Sequence, residues 1–368
     1  RPLVDFVTND WRRQHRTDDL YTSDDDDFLY ADKDSCLEPV WDSVVDAVGK
    51  VPRRLQRMSL MLLTFLFAMW LGWQYFLWPM YKEQQGLAAS VVAPTTEGHY
   101  GANMRPVFKD MVQVKTLDSS LLPGATTERK RLVFVGDVHG CKEELSNLLS
   151  TLSFKPAHDH LILTGDIIAK GPDSPGVVDL VRSLGASCVR GNHEDRLLLA
   201  LAASKNPLNP KFNADSPTAS GETPKETKEE SSTSKPSKHA LLAAQLSAQQ
   251  LDWLAQCPVI LRVGPIPSLG EVVVAHAGLV PGVELDRHDP FMAMNMRSVD
   301  LETKVPSEGR DGVGWEKLWN SWQKSVSEER RSTVVYGHDS KTGLNLQRWS
   351  KGLDSGCVGG GKLSALVV

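Results

Sequence analysis

The sequence predicts an α/β (α+β) domain preceded by one membrane-spanning helix. Three observations carry that prediction. An uncharged apolar run extends from Ser59 to Tyr81, short β-branched strands alternate with helical patterns from Arg131 onward, and a polar motif closes each strand. At 368 residues the chain has room for one or two domains. A net charge of -5 provides no general attraction for nucleic acid, and no nucleic-acid partner is expected.

Residues 1 to 57 form a polar tail with the acidic run Asp24, Asp25, Asp26 and Asp27, a composition that stays solvated and disordered. Residues 58 to 81, MSLMLLTFLFAMWLGWQYFLWPMY, are long enough to cross the hydrocarbon core, which takes about 20 apolar residues. Trp70, Trp73, Tyr75, Trp78 and Tyr81 crowd the second half, as aromatics do at a membrane interface. A cleaved signal peptide fits less well, because the run is too long and begins too far in. Lys50, Arg53, Arg54 and Arg57 precede the run, whereas only Lys82, beside Glu83, follows it closely. The positive-inside rule then places the tail in the cytosol and everything after Tyr81 in a lumen or outside the cell. Residues 82 to 127 show little periodicity and read as a linker or stalk.

The domain itself is expected over residues 128 to 368. RLVFVGD, HLILTGD and SCVRGNHE read as strands, and CKEELSNLLSTL, SPGVVDLVRSLGA and DRLLLALAAS as the helices after them. That alternation implies a parallel sheet with right-handed crossovers, whose ligands bind beyond the carboxyl ends of the strands. Residues 204 to 238, rich in Ser, Thr, Pro, Lys and Glu, read as a disordered insertion. Residues 239 to 256 return as a helix, EVVVAHAGL and STVVYGHDS are two further strands, and the glycine-rich C-terminus reads as closing antiparallel strands. None of the five cysteines lies in a C-x-x-C pair. The four beyond the span permit disulfides in a lumen, with connectivity left open.

Five motifs stand at strand ends: Gly136-Asp137-Val138-His139-Gly140, Gly165-Asp166, Gly191-Asn192-His193-Glu194, His276-Ala277-Gly278 and Gly337-His338. Carboxylate, imidazole and carboxamide are ligands suited to borderline divalent metals such as Mn, Zn, Co or Fe. One Asp-x-His is weak evidence, and one strand-end histidine is more often a satisfied core residue. Five such motifs in this order are hard to obtain by chance.

The set resembles the metallophosphoesterases of the phosphoprotein phosphatase superfamily over about residues 131 to 368. The resemblance implies a calcineurin-like β-sandwich flanked by helices, with two divalent metal ions at its edge. It implies Asp137, His139 and Asp166 on the first ion, and Asp166, Asn192, His276 and His338 on the second. A bridging hydroxide would attack phosphorus in line, and His193 would protonate the leaving oxygen as general acid.

Ala169-Lys170 stands where the serine/threonine phosphatases of that superfamily carry Asp-Arg, so Ala169 cannot orient His193. Lys170 can bind phosphate only as a point charge. Alanine there, Gly171-Pro172-Asp173-Ser174 after it, and the stretch Gly352-Leu353-Asp354-Ser355-Gly356-Cys357 are similar to bacterial symmetrical diadenosine tetraphosphatases. Lys170 and the span narrow the resemblance to the related fungal vacuolar endopolyphosphatases. What this implies is an enzyme of the vacuole membrane that cleaves inorganic polyphosphate internally. Serine/threonine phosphatase and dinucleoside polyphosphate hydrolase are the alternative activities, and a catalytically dead scaffold the non-enzyme reading. Lys170 and Arg190 are expected to bind substrate phosphate, with Arg190 alternatively bracing its loop and Arg196 a weaker candidate. Asp354 and Cys357 read better as turn and core residues.

Trypsin added to sealed organelles should remove the acidic tail and spare the part after Tyr81. Digestion of that part without detergent would reverse the topology.

Overall fold

The computed structural model describes residues 52–92, 111–123, 131–205 and 237–368. Of the tail expected over residues 1 to 57, residues 1 to 51 lie outside the described residues, and Arg53–Arg57 already belong to a helix. Of the insertion expected over residues 204 to 238, residues 206 to 236 lie outside the described residues, while 204 and 205 end one helix and Ser237 caps the next. The chain divides into two units, Arg1–Leu77 and Trp78–Val368.

In the first unit, helix α1 (Arg53–Gly72) runs into a π-helical turn, Trp73–Leu77. Leu60, Phe65 and Phe67 on α1 are all more than half exposed. The 37-residue helix Arg53–Ala89 is long and apolar enough to cross a membrane, and none of its most apolar window is buried within the protein. By length and composition this helix is a candidate membrane span.

The second unit opens with α2 (Trp78–Val92). Here the structure departs from the stalk expected over residues 82 to 127. The helix continues past Tyr81, Glu83 accepts a hydrogen bond from Lys317 Nζ at 2.6 Å, and Leu87 packs on a core cluster. The polar composition read as linker is that of a helix with one docked face. A second departure is β1 (Val114–Thr116), which joins a sheet at its edge.

There follow β2 (Arg131–Val135), α3 (Lys142–Thr151), β3 (Asp159–Leu163), α4 (Ser174–Ser183), β4 (Ser187–Cys188) and α5 (Asn192–Lys205). After the insertion come α6 (Lys238–Ala243), α7 (Ala248–Ala255), β5 (Ile260–Ile266) and β6 (Gly270–Ala275). The single helix expected over residues 239 to 256 is two, because Ser247 and Gln250 form a reciprocal capping box that starts a new helix. Next are α8 (Pro290–Asn295), the short strands β7 (Ser298–Val299), β8 (Pro306–Ser307) and β9 (Val313–Gly314), and α9 (Trp315–Ser325). The chain ends with β10 (Ser332–Tyr336), β11 (Asn345–Leu346), β12 (Ser350–Gly352) and β13 (Ala365–Val367).

One sheet has the order β13-β2-β3-β4, with β2, β3 and β4 parallel and β13 antiparallel. The other has the order β1-β5-β6-β10-β12-β11, with β6, β10 and β12 parallel. Strand period decides the layering. Leu132 and Phe134 of β2 face Leu261, Val272, Val274 and Val335 of the second sheet, forming the core between the sheets. Val133 and Val135, of opposite parity, pack under α3, α4 and α5. On the far side Val273, Ala275 and Val334 pack under α8 and α9. The result is the expected sandwich flanked by helices. Since β2, β3, β4, β6 and β10 all end toward the same edge, the five motifs lie together there.

A disulfide joins Cys188, at the end of β4, to Cys257 after α7, across 69 residues. Nearby, Arg190 N–H donates to Pro258 O at 2.7 Å and the Arg190 guanidinium to Ala255 O at 2.7 Å. Three independent ties therefore hold the end of β4 to the turn after α7. Closing so long a loop stabilises the fold by about 4 kcal/mol in the chain-entropy model. Replacing both cysteines by Ala should lower the unfolding free energy by roughly 2–4 kcal/mol in guanidinium titrations, and peptides carrying Cys188 and Cys257 should migrate together only without reductant.

Candidate metal centre

Asp166 is the centre of the site. It lies just beyond β3, is 2 % exposed, and adopts a left-handed φ of 49°. Three imidazoles and one carboxamide close around its carboxylate. His139 Nε2 is 3.5 Å from one oxygen and His276 Nε2 3.4 Å from the other. Asn192 lies 3.2 Å from His276 Nε2, and its amide, turned over, brings its NH2 within 3.0 Å of both Asp166 oxygens. The His193 backbone N–H, in the first turn of α5, donates to Asp166 Oδ1 at 3.0 Å. A helix N-terminus thus faces a carboxylate, the favoured sign.

Among the described residues two groups converge closely enough to hold an ion: His139 with Asp166 and His193, and Asp137 with Asp166 and His276. Asp166 belongs to both. Asp137 is 3 % exposed, and both its oxygens accept the His338 backbone N–H, at 3.1 and 3.0 Å. Position 337 must be glycine, since a Cβ there would lie 1.9 Å from Asp137 Oδ1.

The ring nitrogens sort the histidines by chemistry. His139 Nδ1 meets Ile168 O at 3.1 Å, His276 Nδ1 meets Thr164 O at 2.8 Å, and His338 Nε2 meets Asn295 O at 3.1 Å. A carbonyl accepts only from N–H, so each ring leaves a lone pair on its other nitrogen, the form a metal requires. His193 differs. Its Nδ1 meets no carbonyl and instead lies 3.3 Å from Nε2 of His239. That separates His193 from the ligand type, although it stands beside His139 and Asp166.

The electrostatics suit a cation. Burial opposes the Asp166 charge, but His276, His193 and His139 outweigh burial and hold its carboxyl well below the usual carboxylate range. Burial also opposes the charge on His276, yet Asp166 and Asp137 lift its pKa to about 10. Burial pushes Asp137 up and His139 down. The ionised Asp166 shared between two clusters of imidazole and carboxylate donors fits a pair of divalent ions in donor type, and a cation there would take the place of the proton that Asp166 and Asp137 draw onto His276.

A second carboxylate shapes the loops. Glu194 is fully buried, and its oxygens accept four backbone N–H groups: Gly191 at 2.9 Å, Asp166 at 2.8 Å, Ile167 at 2.9 Å and Ile168 at 3.1 Å. Burial and the Asp166 charge push its pKa up to about 7, while the N–H donors favour the ionised form. The sequence placed Glu194 inside a motif without assigning it a task, because a clamp on backbone amides leaves no pattern of its own.

The two expected phosphate ligands part company. Lys170 is exposed at the rim, with Nζ 2.9 Å from His139 Nε2. Arg190 is 0 % exposed, bonded to Ala255 O, and has Nη1 3.7 Å from Asp195. It lies beneath the loop and cannot meet a phosphate, so bracing is its place. Three basic residues spread along the sequence bear on the site instead. Arg196 acts on His193, Arg297 on His338, and Arg310 contacts Asp339 beside His338. Their spacing is irregular, so no stripe was visible in the sequence. Asp354 is buried and accepts Gly356 N–H at 3.0 Å, a turn contact. A cavity of about 750 Å³ between β6 and α9 is lined by none of the motif residues.

With this geometry in place, the comparisons with known proteins are direct. The model of the calcineurin-like phosphoesterase family matches residues 130–355. The zinc-dependent endopolyphosphatase of Saccharomyces cerevisiae is 33% identical over 281 residues, 68% of this chain and 82% of that protein. The symmetrical bis(5'-nucleosyl)-tetraphosphatase of Pectobacterium atrosepticum is 36% identical over 154 residues, so the match spans 41% of this chain and 44% of that relative. The crystal structure of a putative diadenosine tetraphosphatase is similar with a TM-score of 0.51 at 33% identity, covering 70% of this chain and 94% of that one.

Glu194→Gln should cost on the order of 3 kcal/mol of stability, because an amide NH2 would face N–H donors. Bound metal, measured by mass spectrometry, should fall with it. Retention of full metal content would mean that the loops hold their shape without the carboxylate.

Proposed function

The chain belongs to the calcineurin-like phosphoesterase family, and on that premise we propose that it cleaves inorganic polyphosphate internally at its phosphoanhydride bonds. It is a metallophosphoesterase, a hydrolase that uses two divalent metal ions. The observation that carries the substrate is the 33% identity to a zinc-dependent endopolyphosphatase across 82% of that protein's length.

In this reading Asp137, His139 and Asp166 hold one ion, and Asp166, Asn192, His276 and His338 the other. When bound, the ions activate water and neutralise charge on the phosphoryl oxygens. The protein residues do the remainder. Asp166, clamped through its own backbone and that of Gly191, sets the spacing of the two ligand groups. His193 turns Nε2 toward the centre, 3.9 Å from Asp166 Oδ2, and delivers a proton from that nitrogen to the leaving oxygen. Burial pulls the His193 pKa down to about 3, against the Asp166 charge, and Lys170, His139 and Arg196 pull the same way. An incoming polyanion opposes those positive neighbours and favours the protonated ring. Lys170 meets a phosphoryl oxygen as a point charge, while Arg196, Arg297 and Arg310 draw the flanking phosphates.

Location follows the same reading: a single-pass protein with its tail in the cytosol and its catalytic part in the vacuolar lumen. The apolar helix Arg53–Ala89 and the disulfide Cys188–Cys257, a bond of oxidising compartments, both support it.

A second substrate reading has its own support. The solved structure similar to this chain across 94% of its length is a putative diadenosine tetraphosphatase, which points to dinucleoside polyphosphates. Both substrates are phosphoanhydrides, and phosphoproteins are not.

Full-length protein in detergent should be offered long-chain polyphosphate, diadenosine tetraphosphate and a phosphoserine peptide, each with Zn, Mn, Co or Mg. The expected result is polyphosphate shortened to intermediate lengths before free phosphate accumulates, at a higher kcat/KM than for the other two. A higher kcat/KM for diadenosine tetraphosphate would favour the second reading. Preference for the peptide would overturn both.

A further inference from the structure

His193 is assigned a proton-transfer role, yet nothing on its own loop holds its ring. Ala169 offers only a methyl group. The three imidazoles of the ligand set are each tethered to a backbone carbonyl, at Ile168, Thr164 and Asn295. His193 alone among the four has its outer nitrogen on a side chain, with Nδ1 3.3 Å from His239 Nε2. The rings lie 5.5 Å apart between centroids and tilt by 34°. His193 also meets His139 edge-on, with centroids 5.0 Å apart. One face of the His193 ring is therefore set by packing, while its rotation about χ2 is set by the Nδ1 contact.

We propose that His239 is the positioning residue for His193, accepting a hydrogen bond from Nδ1–H so that Nε2–H points at the leaving oxygen. The inference rests on His193 being the general acid. His239 comes from α6, 46 residues away in sequence, and belongs to neither of the two groups that could hold an ion.

The proton balance follows. A water oxygen bonds to phosphorus as the bond from phosphorus to the bridging oxygen breaks. His193, charged beforehand, passes its Nε2 proton to that leaving oxygen and becomes neutral. It keeps Nδ1–H, still donated to His239 Nε2, which stays neutral throughout. Solvent returns the proton to Nε2 in the next cycle. A neutral imidazole accepts the hydrogen bond but does not offset the charge of His193, so its contribution is orientation and tautomer.

Two variants of the full-length protein, His239→Phe and His239→Ala, remove the acceptor with and without filling its volume, and His239→Gln restores an oxygen at about the reach of Nε2. The probes are phenyl phosphate, whose leaving oxygen needs a proton, 4-nitrophenyl phosphate, whose leaving oxygen does not, and long-chain polyphosphate. His193→Ala should lose roughly 100-fold in kcat on phenyl phosphate, the span of a general acid, and little on 4-nitrophenyl phosphate. His239→Phe and His239→Ala should repeat that selectivity at roughly 10-fold, with KM for polyphosphate and bound metal unchanged, and His239→Gln should recover most of the loss. If His193→Ala is selective while the His239 variants match wild type, or lose both aryl substrates equally, His239 does not position the acid. If His193→Ala is itself unselective, the general-acid assignment fails first.

Discussion

The loops of the site are held together by a carboxylate whose oxygens are taken up by backbone amides. Glu194 is fully buried and gathers the amides of Gly191, Asp166, Ile167 and Ile168 onto two oxygens. Those amides belong to the ends of two adjacent parallel strands, β3 and β4. Each strand end leaves its backbone groups without ladder partners, and buried amides in that state are costly. Glu194 satisfies them and fixes the distance between the Asp166 and Asn192 loops at once. The geometry it enforces is strained. His139, Asp166, Ala169, Lys170 and His338 are five of the eight non-glycine residues with positive φ among the described residues. Conformations of that kind cost of order 1 kcal/mol or more each and persist only where neighbours impose them.

Around this clamp the protein divides labour by where each ring nitrogen points. Backbone carbonyls tether one nitrogen each of His139, His276 and His338, whereas the outer nitrogen of His193 meets a side chain, that of His239. The sandwich makes the division possible. Strands of two sheets run to one edge, so residues from β2, β3 and β4 meet residues from β6 and β10 without a long loop between them. Packing beneath is dense: Leu132, Phe134, Ile162, Val272 and Val274 are all fully buried. A floor of that kind keeps ligand positions from drifting.

Much of this was legible in the sequence, for a physical reason. The metal-site candidates Asp137, His139, Asp166, Asn192, His276 and His338 each follow a short strand, and the strand period is short enough to read locally. What was not legible depends on distant partners. Arg190 sits beside a ligand motif and looks like a phosphate contact until the fold seals it against Ala255 and Asp195. Glu194 stands in a motif with no task of its own until its oxygens are traced to amides. His239 lies beyond an insertion whose composition conceals any relation to His193. Helix α2 and strand β1 were read as stalk because one docked face and three paired residues leave almost no periodic trace.

The bond between Cys188 and Cys257 has a further consequence. It encloses the polar insertion, so a single break of the polypeptide within that insertion leaves no fragment free to diffuse away. The piece carrying Asp137, Asp166, Asn192 and His193 and the piece carrying His276 and His338 would stay covalently joined. They would also share the core between the sheets. A molecule nicked there would run as one band without thiol and as two with it, and could remain active in both the intact and the cut form. The insertion can therefore diverge in length and composition, or be clipped, without the two halves of the metal site parting.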